Sequence, residues 1–372
     1  MENISYLDNA ATTPVCRVAL DELLRASNEV FGNPSSLHSA GFAAERLIED
    51  ARRKIAAALG GASEEVIFTP GGTFGDNLAI LGAARKNSRK GRHIITTQIE
   101  HDAVLKSVAA LEAEGFEVTR IAPRQDGRVC AEDVLNAVRP DTVLVSVMLV
   151  NNELGTVQPV SEIARGLKRL RSNALLHTDA VQAFCKVNFS VKTLGADMVT
   201  VSAHKVHGPK GIGALWVKKG VRLSPITFGG GQEKGLCPGT ESAPAISAFA
   251  AAVGARDRSH RAEELKEKAL ALLADVPGLQ IISRGETGVC MVSLPGFRSE
   301  TLLHRLSAEG IFVSSGSACG KGKPSHVLTA MGLPREVIDG AIRISFSKYN
   351  TEEDAVRLNS ALIRAVSELA HV

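Results

Sequence analysis

Lys205 and Asp179 together suit chemistry on an aldehyde cofactor. Lys205 stands in Ser202-Ala203-His204-Lys205-Val206-His207-Gly208-Pro209-Lys210-Gly211, a polar cluster that leaves a strand-like run and enters a Gly/Pro-rich turn. In open α/β sheets, ligands sit at the carboxyl ends of strands. A lysine partly desolvated there has a lowered pKa and can form a Schiff base, although a lysine at a strand end is by itself usually just solvated. Asp179, in Leu176-His177-Thr178-Asp179-Ala180-Val181-Gln182, places a carboxylate after a second strand-like run. Pyridoxal phosphate uses a lysine for its aldehyde and often a carboxylate that keeps its pyridinium nitrogen protonated. The plainer role for Asp179 alone is a helix N-cap.

Other strand ends carry further polar groups. Phe68-Thr69-Pro70-Gly71-Gly72-Thr73 runs straight into a helix. Its glycines let the backbone approach an anion, and the helix start offers free N–H groups, so it is either a phosphate cradle or a tight turn. It lacks the Gly-Lys-Ser/Thr ending of a Walker loop. Glu100-His101-Asp102 puts a histidine where it would stack on a planar cofactor, move protons, or simply start a helix. Asn151-Asn152-Glu153 follows the most apolar run and reads as a site or a sharp turn. Val313 to Lys323 is a loop of small residues around Cys319, with Lys321 and Lys323 favouring its thiolate. A lone cysteine is more often structural.

A sheet is needed to bring these groups together. Strand-like runs at 66–68, 93–96, 116–121, 143–150, 174–177, 198–201 and 213–217 alternate with helix-period stretches. The helices follow Gly71-Gly72, cover 103–114, and carry Ile163, Leu167 and Leu170 at i, i+4 and i+7. The alternation predicts an α/β domain with a mainly parallel sheet. Run 143–150 is apolar on both faces, as expected of a covered central strand.

From about Ala255 the texture changes. The pattern predicts an amphipathic helix over 256–273, strands at 289–294 and 310–313, and a helix at 301–308. A last helix starts at Thr351, with Asp354 at capping-box spacing and Val356, Leu362, Ile363, Val366 and Leu369 as its apolar stripe. This reads as a smaller α+β domain. A chain of 372 residues exceeds the ~250–300 at which single cores stop growing. The expected division is 15–255 for a large domain, with 1–14 and 256–372 forming a small one.

Composition excludes several classes. Forty-three Lys and Arg against 40 Asp and Glu leave a net charge of +3, too balanced for a nucleic-acid or membrane-surface protein. Aromatics at 4% are too sparse for a single-strand stacking platform. No run approaches the ~20 apolar residues of a membrane helix, and no basic-then-apolar leader opens the sequence. Six cysteines without a Cys-x-x-Cys pair exclude a disulfide scaffold and the usual zinc spacings. Reduced thiols in a cytoplasmic protein are the expectation.

In order, the motifs resemble those of the cysteine desulfurases of the class V aminotransferase superfamily. The resemblance runs through Tyr6-Leu7-Asp8-Asn9-Ala10-Ala11-Thr12-Thr13-Pro14, Phe31-Gly32-Asn33-Pro34-Ser35-Ser36 with His38, Asp76-Asn77-Leu78-Ala79, Glu100-His101, 150–155, 177–182 and 204–211. Ser314-Ser315-Gly316-Ser317-Ala318-Cys319 is similar to the cysteine loop of the iron–sulfur-cluster type, group I. The resemblance implies a type I pyridoxal-phosphate-dependent transferase fold (α/β) and a homodimer.

It also implies roles. Lys205 would hold pyridoxal 5'-phosphate, Asp179 would pair with its ring nitrogen, Gln182 would bond its ring oxygen, and His101 would stack on it. Gly72, Thr73, Ser202 and His204 would bind the phosphate, and Thr240 would reach the phosphate of the partner subunit. Asn152 and Arg343 would hold the carboxylate of L-cysteine. Lys205 would act as base at the α-carbon, and the Cys319 thiolate would take the sulfur as a persulfide, leaving L-alanine. A cluster scaffold or a tRNA-thiolation enzyme would be the transient acceptor. A selenocysteine lyase, another β-eliminating lyase, and a degenerate non-catalytic homologue are the alternatives. Three positions depart from the family pattern: Phe74-Gly75 where Glu and a small residue are usual, Cys237-Pro238 where Arg and a small residue precede Gly-Thr, and Ala203 where Gly is usual.

Overall fold

The computed structural model describes residues 4–257, 259–315 and 324–369. The strands are β1 (Ser5–Tyr6), β2 (Val66–Thr69), β3 (His93–Thr97), β4 (Glu117–Ile121), β5 (Thr142–Ser146), β6 (Leu175–Asp179), β7 (Met198–Ser202), β8 (Gly213–Val217), β9 (Gln280–Ser283), β10 (Val289–Ser293), β11 (Ile311–Phe312) and β12 (Ala341–Ser345). Seven of them form the main sheet in the order β2-β8-β7-β6-β5-β3-β4. The pairs from β4 through β7 are parallel. β8 is antiparallel to both its neighbours, so it alone runs against the rest. The carboxyl ends of β2, β3, β5, β6 and β7 therefore share one edge of the sheet.

Burial explains why these runs are strands. Alternate residues face opposite layers: Ile94 and Leu144 cluster with residues of the Gly72–Asn87 and Asp102–Ala113 helices, while Ile95, Val145 and Leu176 join a second cluster that holds residues of the Ser39–Leu59 and Val160–Arg169 helices. Apolar side chains on both faces are what a sheet sandwiched between helices requires. A separate cluster gathers Leu7, Leu265, Val292, Ile344 and Leu362 around β10 and β12. β1 joins this part of the chain by pairing in parallel with β11. No helix among the described residues is long and apolar enough to cross a membrane.

Four sequence expectations shift. The run 143–150 leaves the strand at Ser146. The N–H of Met148 donates to the Glu100 carboxylate instead of to a strand neighbour. The charged helix begins at Arg261, not at 256, because a buried helix, Ala243–Gly254, ends just before and Asp257 folds a turn onto the Ser259 N–H. Leu170 lies outside its expected helix, which stops at Arg169 before the chain reverses at Arg171 with φ 53°; Leu170 is left in solvent. In the last helix the buried face is Ala355, Leu358, Ala361, Leu362 and Ala365, so Val356 and Ile363 point outward. Its start follows the expected spacing, with Asp354 accepting from the Thr351 N–H.

Candidate active site

The shared edge of carboxyl ends opens into a cleft. Its lining includes Gly72, Thr73, His101, Asn152, Asp179, Gln182, Ser202, His204, Lys205 and Arg343. Ten of the sequence-derived site residues thus meet in one place, drawn from five strand ends and β12. Thr240 is exposed and outside this lining. Cys319 lies outside the described residues.

β7 ends at Ser202, and a single 3-10 turn, Ala203–Lys205, carries the lysine into the cleft. Its Nζ donates to the Ala10 and Ala11 carbonyls at 2.5 and 2.8 Å. Burial lowers the Lys205 pKa to about 7; Lys186 and Arg343 add to the effect, and Asp179 and Asp8 oppose it. Near neutral pH a large fraction of this amine is unprotonated, the form that attacks a carbonyl.

Asp179 closes β6, and its Oδ1 accepts from the Val181 N–H at 2.8 Å. Burial raises its pKa, against the pull of His101 and Lys205. Asp76 lies beside it, buried, with Oδ1 lacking a hydrogen bond and His177 Nε2 3.6 Å from it. Burial and the charge of Asp179 push the Asp76 carboxyl well above the usual range. Ligand atoms of Asp76, His101 and Asp179 lie within 4.8 Å of one another. Two buried carboxyls at this spacing favour holding a proton between them, which suits an adjoining pyridinium nitrogen.

His101 is the N-cap of the Asp102–Ala113 helix, its Nδ1 accepting from the Ala103 N–H at 3.1 Å. Burial lowers its pKa, so the ring is neutral near pH 7. His204 is lowered to about 4 by burial and Lys205, and its Nδ1 lies 3.2 Å from Thr12 Oγ1. The Gly72–Asn87 helix starts at the cleft, and a Cβ on Gly72 would sit 2.8 Å from Val181 Cγ2. A larger residue at that start would have to displace the Val181 side chain. Ser202 Oγ is buried without a hydrogen-bond partner. An unused hydroxyl beside free helix N–H groups, a tethering amine and a buried carboxyl fits pyridoxal phosphate.

Arg343 sits on β12 and is 1% exposed. One terminal nitrogen donates to the Asn152 carbonyl at 3.0 Å and the other to Asp8 Oδ1 at 2.9 Å. Its Nε and the Asn152 Oδ1 are buried and unpaired. A guanidinium with a spare donor is equipped for a ligand carboxylate.

Sequence reasoning did not assign roles to Asp8, Asp76, Lys186 or the carbonyls of Ala10 and Ala11. Asp8, Ala10, Ala11 and Asp76 stood inside recognised motifs, but nothing in the sequence brings positions 8 and 343 together. The described residues flanking the Cys319 loop hold to the site: Ser314 exchanges backbone hydrogen bonds with Arg343, and Ser325 Oγ donates to Glu153. Of the residues that depart from the family pattern, Phe74 and Cys237 pack against one core cluster, with Phe74 also lining the cleft, and Ala203 is buried in another. Burial, with Glu233 and Glu241, raises the Cys237 thiol to about 11, so it is protonated and a poor nucleophile.

The family model for aminotransferase class-V matches residues 5–358. A protein named cysteine desulfurase IscS from Methanosarcina thermophila is 40% identical across 100% of this chain and 95% of its own. A putative cysteine desulfurase IscS 1 from Bacillus subtilis is 44% identical across 95% of this chain and 96% of its own. Among solved structures, a NifS-like protein superposes with a TM-score of 0.93 at 38% identity, covering 98% of this chain and 100% of that one. SspA in complex with cysteine superposes at 0.83 and 36% identity, covering 93% and 100%.

Proposed function

Because the chain belongs to the class-V aminotransferases and, within them, to the cysteine desulfurases, we propose that its cleft takes sulfur from L-cysteine and leaves L-alanine. Pyridoxal phosphate is the cofactor of this family, and the donors of the cleft suit it. Lys205 would hold it, with Asp179 at the ring nitrogen, Gln182 at the ring oxygen and His101 against the ring. Gly72, Thr73, Ser202 and His204 would hold its phosphate, and Thr240 that of the partner subunit. When bound, the cofactor supplies an electron sink for the pair left as the α-proton departs.

The chain's own residues do the rest. Arg343 and Asn152 orient the substrate carboxylate. Lys205 Nζ, with its lowered pKa, accepts the α-proton and later returns a proton. Cys319 attacks the substrate sulfur. A sulfur–sulfur bond forms, the carbon–sulfur bond breaks with its pair going to carbon, and that carbon takes a proton to become the methyl of alanine. The persulfide then passes to a protein acceptor such as a cluster scaffold or a tRNA-thiolation enzyme. Working as a homodimer in the cytoplasm fits this reading. So does a division into a large domain over 15–255 and a small one over 1–14 and 256–372, since Leu7 shares its core with residues beyond 264.

The observation that carries the reading is the single cleft holding both the low-pKa amine of Lys205 and the buried, incompletely paired Arg343. The test is product analysis with L-cysteine. Alanine is expected; pyruvate without alanine would show elimination, and no product would show a non-catalytic homologue.

A further inference from the structure

Lys186 is not among the cleft's lining residues and lies outside the set of cofactor contacts assigned above. It sits four residues after Gln182 in a run of turns, and its Nζ donates to Gln182 Oε1 at 3.0 Å. Gln182 Nε2 in turn donates to the Ala10 carbonyl at 2.8 Å. The same carbonyl accepts from Lys205 Nζ. Lys186, Gln182, Ala10 and Lys205 thus form one hydrogen-bonded chain. Cys185, just before Lys186, holds a left-handed backbone with φ 61°, a costly conformation for a residue with a Cβ. A second cavity, sharing Ala10 and Lys205 with the cleft, is lined by Lys186 and Cys185 as well.

An amide can present either its oxygen or its nitrogen to a neighbour, and only its partners decide which. An ammonium has no acceptor, so it accepts only one answer: oxygen toward Lys186, nitrogen toward the site. We propose that Lys186 is a positioning residue for the reaction, fixing Gln182 as a donor toward the Ala10 carbonyl and setting a positive charge at the other end of the hydrogen-bonded chain from the Lys205 amine.

The charge balance around Lys205 supports the second part. Lys186 and Arg343 favour its neutral form, Asp179 and Asp8 favour its charged form, and His101 and His204 lie close enough to interact with it. After burial, Lys186 is the largest influence on Lys205. Lys186 itself is held down to about 8 by burial and Arg343, against the pull of Cys185 and Glu263, so it keeps most of its charge at pH 7.

This rests on Lys205 being the working amine, and one arm of the test is independent of that reading. In the cofactor-free full chain, acylation of Lys205 by acetic anhydride is followed by mass spectrometry across pH 5–10. Wild type should show a midpoint near 7. Lys186→Met should raise it by about 0.5–1 pH unit, and Lys186→Arg should restore the wild-type value. In the loaded enzyme, the pH titration of the visible cofactor band should shift the same way, and the Met variant should lose kcat more than it gains KM. An unchanged labelling midpoint in a folded Lys186→Met chain overturns the proposal. If that variant does not fold, Lys186→Gln replaces it with the same criterion. A labelling shift in a protein that makes no alanine would leave the Lys186 coupling standing and remove the desulfurase reading instead.

Discussion

Replacing Arg343 with lysine tests its proposed role in recognising the substrate carboxylate. The wild-type guanidinium makes two hydrogen bonds, to the Asn152 carbonyl at 3.0 Å and Asp8 at 2.9 Å, and keeps Nε unpaired in a residue 1% exposed. Lysine keeps the positive charge opposite Asp8 but cannot supply the planar fork. A hydrogen bond involving a charged group contributes about 1.5–3 kcal/mol. With ~1.4 kcal/mol per factor of ten, the substrate should bind roughly 10- to 150-fold more weakly. The assay is alanine formation against L-cysteine concentration, beside the visible spectrum of the bound cofactor. KM should rise by that factor while cofactor content stays at the wild-type level. An unchanged KM, or loss of cofactor with KM intact, would refute the assignment of Arg343.

Three further predictions address other parts of the chain. Ser202→Ala removes the unpaired buried hydroxyl and should weaken binding of pyridoxal phosphate about 10- to 150-fold by fluorescence titration; equal affinity would mean this hydroxyl does not contact the phosphate. Burial raises Glu100 from 4.5 to about 8, so between those values the folded chain holds a proton that the unfolded chain has released. That stabilisation is full below pH 4.5 and is lost as pH rises to 8. Glu100→Gln cannot titrate, so the excess stability of wild type over the variant should shrink across this window in denaturant titrations, and a constant difference would contradict the protonated carboxyl. Glu233→Ala leaves the half-buried Arg52 and the Phe68 N–H without the carboxylate that now binds both. It should cost about 3–5 kcal/mol by chemical unfolding, and a loss below ~1 kcal/mol would show the pair to be dispensable.

The sequence exposed the catalytic edge more completely than its supports. Runs such as 198–201 and 213–217 read directly as strands because both faces are buried, and period and composition both report that. The motif residues arrive together because each follows a strand that ends at the same edge. What stayed hidden depends on pairings across long separations. Asp8 meets Arg343, and Glu100 turns the Met148 N–H out of the sheet and so ends β5 early. No local period encodes either contact. Lys186 was hidden for a different reason: four residues after Gln182, it reads as an ordinary surface lysine until Ala10 is folded against both Gln182 and Lys205. On the last helix Leu362, Val366 and Leu369 do face the core, but Val356 and Ile363 do not, because the alanines at 355, 361 and 365 pack inward.

The central claim is that this cleft and Cys319 together move sulfur from L-cysteine. The most direct measurement supplies L-cysteine and a reductant to the purified, cofactor-loaded chain and to its Cys319→Ala variant, and quantifies alanine and sulfide together. The account predicts equal amounts of the two products from wild type. It predicts loss of sulfide from Cys319→Ala, with the cofactor still bound. Undiminished sulfide from the variant, or sulfide accompanied by pyruvate instead of alanine, would contradict it.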